Sequence, residues 1–173
     1  MNLILIGYMG SGKSTLGKKL AKTLNHSFID LDDYIEEKEQ LSISELFKVR
    51  GEIYFRKKEH EYLKEILEEQ SDVVLALGGG TPCYANNMEL IAADKSSTSI
   101  YFKAGINELV GRLKHERAKR PLLSRFNSDE ELIEFIGKHL FERAAYYNQA
   151  DIVLSVDKKS QFEILDELMT QLV

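Results

Sequence analysis

The sequence predicts an α/β domain of three α/β/α layers: a central parallel sheet of about five strands, covered by helices on both faces. Short apolar runs alternate with longer amphipathic stretches, the signature of repeated βαβ units. The apolar runs are continuous rather than alternating, as strands buried on both faces are. Glycine-rich and acidic segments directly follow these runs, where open parallel sheets bind ligands.

Taken in order, Asn2 to Ile6 reads as a buried strand and Ser14 to Leu24 as a helix. Ser27 to Asp30 reads as a short strand, with a helix over Tyr34 to Glu39. Ser42-x-x-Glu45 is a capping box and opens a helix through about Val49. Glu52 to Glu69, rich in Glu, Lys and Leu, predicts a long helix. Val73 to Leu77 is a second continuous apolar strand and ends in Gly78-Gly79-Gly80. Ser99 to Phe102 predicts a strand, Asn107 to His115 a helix, and Ser128 caps a helix running to about Tyr147. Ile152 to Ser155 is the last strand and Gln161 to Leu172 the last helix.

The chain has 173 residues, enough for one well-packed domain. Hydrophobic residues make up 43% and charged residues 29%, an ordinary globular balance. No run approaches the ~18 apolar residues that span a bilayer. The N-terminal apolar run is short, has no basic leader and feeds straight into a glycine loop, so a cytoplasmic protein with no membrane partner is expected. The single cysteine, Cys83, rules out an internal disulfide and reads as a small packing residue. A formal net charge of −5 argues against a general nucleic-acid binder but not against small anionic substrates. His26, His60, His115 and His139 show no metal-ligand spacing.

Gly7-x-x-x-x-Gly12-Lys13-Ser14, between a strand and a helix, matches the P-loop pattern in full. In such a loop, which spans residues 7–15 here, glycines let successive backbone N–H groups turn inward onto phosphate oxygens. Gly10, Ser11, Gly12, Lys13, Ser14 and Thr15 are the candidate nucleotide-binding residues. The helix start adds its positive end, Lys13 reaches the outer phosphates, and the Ser14 hydroxyl suits Mg²⁺. No Asn-Lys-x-Asp segment follows a later strand, so guanine selectivity is not expected.

Other segments have two readings. Asp30, Asp32 and Asp33 follow the second strand; carboxylates at i and i+2 can divide metal and hydroxyl duties, or Asp32 or Asp33 can cap the next helix. Arg56, beside Lys57 and Lys58, fits a solvated helix face, as Arg143 fits an ordinary surface. Gly78-Gly79-Gly80 allows close ligand approach or a flexible turn. Residues 114–125 hold five Lys or Arg, which is a solvated charge run or a cationic lid.

Together these blocks resemble the shikimate kinases, small relatives of the nucleoside monophosphate kinases. The resemblance runs through G-x-x-G-x-G-K-S, F-I-D-L-D, S-I-S-E-L-F-x-x-x-G-E-x-x-F-R, L-G-G-G, R-P-L-L and E-R-A-x-x-Y, in that order. It implies a P-loop NTPase-type fold with a helical substrate-binding region at about 32–61 and a lid at about 114–125. It implies ATP and Mg²⁺, with shikimate as phosphoryl acceptor. Asp30 would lie near Mg²⁺ through water, together with Ser14. Asp32 would orient or deprotonate the attacking hydroxyl. Arg56 and Arg143 would clamp the substrate carboxylate, and Gly78, Gly79 and Gly80 would approach the substrate closely. Arg120 would be the lid arginine on the transferred group, and Arg112 would lie near the adenine. The family's C-terminal loop often gives an arginine to the adenine; here Lys158 and Lys159 stand instead. A monomer is expected. A gluconate-type sugar-acid kinase and a non-catalytic nucleotide-binding module are the alternatives.

Overall fold

The computed structural model describes residues 1–120 and 122–172; Pro121, within the expected lid, and Val173 lie outside the described residues. Five parallel strands form one sheet: β1 (Asn2–Ile6), β2 (Ser27–Asp30), β3 (Val73–Ala76), β4 (Ser97–Lys103) and β5 (Ile152–Ser155). Their order is β2-β3-β1-β4-β5, so β1 is central and its side chains are buried along its whole length. Helices α1 (Lys13–Leu24), α2 (Leu31–Glu39), α3 (Ile43–Arg50), α4 (Glu52–Glu69), α5 (Asn87–Ala93), α6 (Ile106–Leu113), α7 (Asp129–Tyr147) and α8 (Gln161–Leu172) make up the rest.

The strand order places the chemistry. Leu5 of β1 and Asp30 of β2 both pair with Ala76 of β3, so three neighbouring strands end at one level. The loops that follow them, at 7–12, at 30–32 and at 77–80, therefore open side by side at the carboxyl edge of the sheet. Helices α2, α3 and α4 all lie between β2 and β3 in the chain, in the region expected to bind substrate.

Most elements form where the sequence places them. Ser42 and Glu45 make a reciprocal capping box at α3, and Ser128 caps α7 through the Glu131 amide. Four differences stand out. Helix α2 starts at Leu31 rather than Tyr34, because Asp30 takes the cap and accepts from the Asp32 amide at 3.1 Å; Asp32 and Asp33 are not caps. Strand β4 begins two residues early, because Ser97 and Thr98 pair with Asn2 and Leu3 of the central strand β1, and Asp151 satisfies the Ser99 amide and hydroxyl at 2.8 and 2.7 Å. Helix α6 ends at Leu113 and tightens into a 3₁₀ segment over Lys114–Lys119. Finally, Thr81–Cys83 forms a 3₁₀ turn and α5 follows it, although its N-cap Asn86 is left-handed and makes no side-chain cap, which leaves no sequence signal.

Gly17 marks the tightest helix–sheet contact. A Cβ there would sit 2.6 Å from Phe28 Cε2 and 2.8 Å from Leu5 Cδ1. Glycine inside a helix normally costs about 1 kcal/mol against alanine. Here overpacking wins, and Gly17→Ala is expected to destabilise the protein by roughly 1–3 kcal/mol in thermal or urea unfolding. An unchanged or raised midpoint would show that α1 can lift from the sheet without cost.

Candidate active site

The loop after β1 turns on two glycines with left-handed backbone, Gly10 at φ 79° and Gly12 at φ 99°. Gly10 also lies under α6, where a Cβ would meet Leu113 Cδ2 at 2.9 Å. Lys13 is buried and its ammonium donates to the Gly7 and Tyr8 carbonyls at 2.7 and 3.1 Å. Ser11 is fully buried and its hydroxyl has no partner among the described residues. Ser14 donates to Asp30 Oδ2 at 2.8 Å, while Asp30 Oδ1 caps α2, so one carboxylate serves both the loop and the helix. Thr15 is exposed on the same rim.

The cleft over this loop holds about 770 Å³. Asp32, Gly78, Gly79, Arg112 and Arg120 line it with the P-loop, and Lys159 to Gln161 form part of its wall. Ser14 with Asp30 offers oxygen donors of the kind that suit Mg²⁺, a hard cation that also keeps waters.

The turn after β3 organises the rest. A Cβ on Gly78 would lie 3.1 Å from Asp32 Oδ1; on Gly79, 3.2 Å from Arg143 Nη1; on Gly80, 2.9 Å from Arg56 Nη2. Each glycine thus leaves the room that one charged side chain occupies. Arg56 comes from the first turns of α4, Arg143 from the end of α7, and Asp32 from the start of α2. Arg56 Nη1 donates to Glu59 Oε1 at 2.9 Å, and Glu59 Oε2 accepts from the buried Thr81 hydroxyl at 2.8 Å. Above, the Arg56 guanidinium carbon stands 3.9 Å from the centre of the Tyr84 ring. Tyr147 donates to the Gly79 carbonyl at 2.5 Å and also bonds Arg143.

Arg112 and Arg120 reach the cleft from its other side. Arg112 Nη1 donates to the Gly10 carbonyl at 3.0 Å while Glu108 holds its Nε. Arg120 Nε donates to Glu116 Oε2 at 2.6 Å, in an exposed pair four residues apart. Gly10, Gly12, Lys13, Ser14, Thr15, Asp30, Asp32, Gly78, Gly79, Arg112 and Arg120 thus line the cleft, Arg56 and Arg143 reach the glycine turn beside it, and Ser11 is buried beneath the loop.

The model of the shikimate kinase family matches residues 9–173. The chain is 46% identical over 167 residues to a shikimate kinase of Flavobacterium johnsoniae, covering 96% of each. Its structure is similar to that of a Bacteroides thetaiotaomicron shikimate kinase, with a TM-score of 0.90 and 37% identity over 99% of this chain and 98% of the other. A shikimate kinase from Acinetobacter baumannii in complex with shikimate gives a TM-score of 0.84 at 27% identity, over 99% and 92%.

The chain belongs to the shikimate kinase family. It is thus a kinase that uses ATP on a P-loop fold. For a kinase of this family the notable electrostatic feature is the pair Lys13 and Asp32. Burial pulls the Lys13 ammonium down to about 8, opposed by Asp32 and Asp30. Burial pushes the Asp32 carboxyl up to about 6; Asp30 and Glu59 add to this and Lys13 opposes it.

Two contributors are not visible in the sequence. Glu59 is 1% exposed yet sits in a helix full of solvated Glu and Lys, so composition hides it. Tyr84 follows the glycine turn and shows its role only through its stacking on Arg56. Spacing gave one usable sign: Arg56 and Glu59 lie at i and i+3 on α4. Cys83 is half-buried beside this network, and burial raises its thiol.

Because the folded protein binds the Asp32 proton more tightly than an unfolded chain, the associated stability is full below pH 3.8 and lost as pH rises through about 6. In ligand-free protein the Asp32 carboxyl is expected to titrate near 6 in a ¹³C NMR experiment. Lys13→Met removes the cation that favours the carboxylate and moves the midpoint higher. A midpoint near 3.8 would mean that water reaches the carboxyl freely.

Proposed function

We propose that the chain transfers the γ-phosphoryl group of ATP to the 3-hydroxyl of shikimate, giving ADP and shikimate 3-phosphate. One observation carries this reading: the glycine turn gathers a carboxylate and two guanidinium groups around one space beside the phosphate loop. A hydroxy acid offers the matching groups, hydroxyls for Asp32 and a carboxylate for Arg56 and Arg143. The planar guanidinium fork suits a carboxylate well.

In this reading the chain is one kinase domain over 1–173, with the P-loop at 7–15, the substrate-binding region at about 32–61 and the lid at about 114–125. The amides of Gly10, Ser11 and Gly12 and the ammonium of Lys13 hold the phosphates, with Thr15 alongside. Ser14 and Asp30 would hold Mg²⁺, Asp30 through water; the ion would supply positive charge that offsets the negative charge of the phosphates. Asp32 accepts the hydrogen bond of the attacking hydroxyl and aims its oxygen at the γ-phosphorus. Its raised pKa suits a group that takes up the hydroxyl proton as the new bond forms. Lys13 and Arg120 stabilise charge on the transferred group, and Arg112 lies toward the adenine. The step is an in-line displacement without a covalent enzyme intermediate, so positioning and electrostatics do the work.

All these groups come from one chain, which makes a monomer the proposed working unit. No helix among the described residues is long and apolar enough to cross a membrane. A cytoplasmic location, where ATP is available, completes the proposal, with no nucleic-acid or membrane partner.

The test is ADP release from Mg·ATP, coupled to NADH oxidation, with shikimate and with gluconate as control. Turnover that depends on shikimate is expected; gluconate-dependent turnover would overturn the acceptor. Gly80→Ala places a methyl against the Arg56 guanidinium and should raise KM for shikimate about tenfold or more with little change for ATP. Arg120→Ala should lower kcat more than it raises KM, by about a hundredfold or more, because the contact strengthens in the transition state. Intact kcat in that variant would remove Arg120 from the lid role.

A further inference from the structure

Phe135, His139, Arg143 and Tyr147 follow one another at four-residue spacing on α7 and share one face. The two ends of this stripe are anchored. Phe135 packs on Phe126 with ring centres 4.8 Å apart, and Tyr147 holds the Gly79 carbonyl. In the middle, His139 Nδ1 lies 3.0 Å from the hydroxyl of Tyr8. Tyr8 belongs to the phosphate loop and is 1% exposed. Its ring meets the imidazole edge-on at 6.0 Å and 63°, and Phe135 closes on the imidazole at 4.3 Å. The Arg143 guanidinium carbon stands 5.6 Å from the centre of the same Tyr8 ring.

The two arginines at the glycine turn are held differently. Glu59 fixes Arg56 by an ion pair. Among the described residues no carboxylate pairs with Arg143; its neighbours are the Tyr147 hydroxyl, the Cys83 thiol and the Tyr8 ring. A carboxylate would compete with the carboxylate of a substrate. An aromatic face attracts the cation and leaves the donor fork free.

We propose that Tyr8 and His139 are positioning residues for Arg143: their hydrogen bond fixes the Tyr8 ring, and the ring holds the guanidinium in the orientation that meets the substrate carboxylate. This rests on the reading of Arg143 as a carboxylate ligand. The direction of the bond follows from the surroundings. Burial pushes the Tyr8 hydroxyl up to about 12 and lowers His139, so Tyr8 donates and a neutral imidazole accepts, with its proton on Nε2.

Steady-state kinetics at saturating Mg·ATP test this. Tyr8→Phe keeps the ring and removes the bond; KM for shikimate should rise about three- to tenfold, and by more than KM for ATP. His139→Leu should match it, and the double variant should be no worse than either single one. His139→Asn, whose amide oxygen can stand in for Nδ1, should restore KM. If either single variant fails to fold, the other reads the same bond. Unchanged KM for shikimate in Tyr8→Phe and His139→Leu, an equal rise for ATP, or no rescue by Asn would overturn the proposal. Arg143→Ala separates the two readings. A large rise in its shikimate KM beside an unaffected Tyr8→Phe defeats only the positioning role. An unchanged KM in Arg143→Ala defeats the carboxylate reading, and the positioning role with it.

Discussion

Three charged side chains converge on a turn of the chain that has no side chains of its own. Gly78, Gly79 and Gly80 sit at the end of β3, between the ends of β1 and β2. Methyl groups there would crowd Asp32 together with Thr81 at the first position, Arg143 at the second and, most closely, Arg56 at the third. The constraint is therefore one of volume rather than of backbone freedom, since none of the three glycines adopts a left-handed conformation. Because α2, α4 and α7 each deliver one of these side chains, the turn sets how closely those helices can approach the phosphate loop. The sheet order supplies the neighbourhood, and the missing Cβ atoms supply the room.

Charge in this space is balanced in pairs of unequal strength. Glu59 and Arg56 form a largely buried pair, tied on to Thr81 and, through the Thr81 carbonyl, to Asn87. Such a pair gains little net stability, because desolvation offsets the attraction. Its value lies in direction: one guanidinium edge is fixed by protein and the rest points onward. Lys13 and Asp32 are balanced less completely, and burial moves each toward its neutral form. A triphosphate brings negative charge to Lys13 and favours its ammonium; that ammonium in turn favours the Asp32 carboxylate. In the proposed mechanism, binding the donor would thus prepare the group that meets the acceptor.

What the sequence made legible was local. A continuous apolar run, a glycine loop and a helix start fit within fifteen residues, and β1, the P-loop and α1 lie there. The capping box at Ser42 and the cap at Ser128 were legible for the same reason: each bond spans three residues. The start of α2 was misplaced because three aspartates in four positions compete for one cap, and only the strand end decides that Asp30 wins. Helix α5 carries no cap side chain to announce it. Contacts that join distant segments were not legible at all. The Tyr8–His139 bond crosses 131 positions, and nothing at either end marks the partner. The roles of Arg56 and Arg143 came from family resemblance, since each sits among ordinary surface-like residues.

The cations around the cleft share one property: each has a partner that a phosphate can replace. Lys13 rests on two carbonyls of its own loop, Arg112 on a third and on Glu108, and Arg120 on an exposed glutamate. Exposed pairs of that last kind contribute about 0–1 kcal/mol. A buried cation without any partner would cost several times more. In the proposed reading the groups that meet the phosphates are thus already satisfied, so nucleotide binding would exchange contacts rather than create them from isolated charges. Arg56 is the contrast: its partner Glu59 is buried and tied to Thr81, and in the proposed reading a substrate carboxylate would add to that pair instead of replacing it. On that reading one side of the site would rearrange on binding, while the other would stay fixed and define where the acceptor lies.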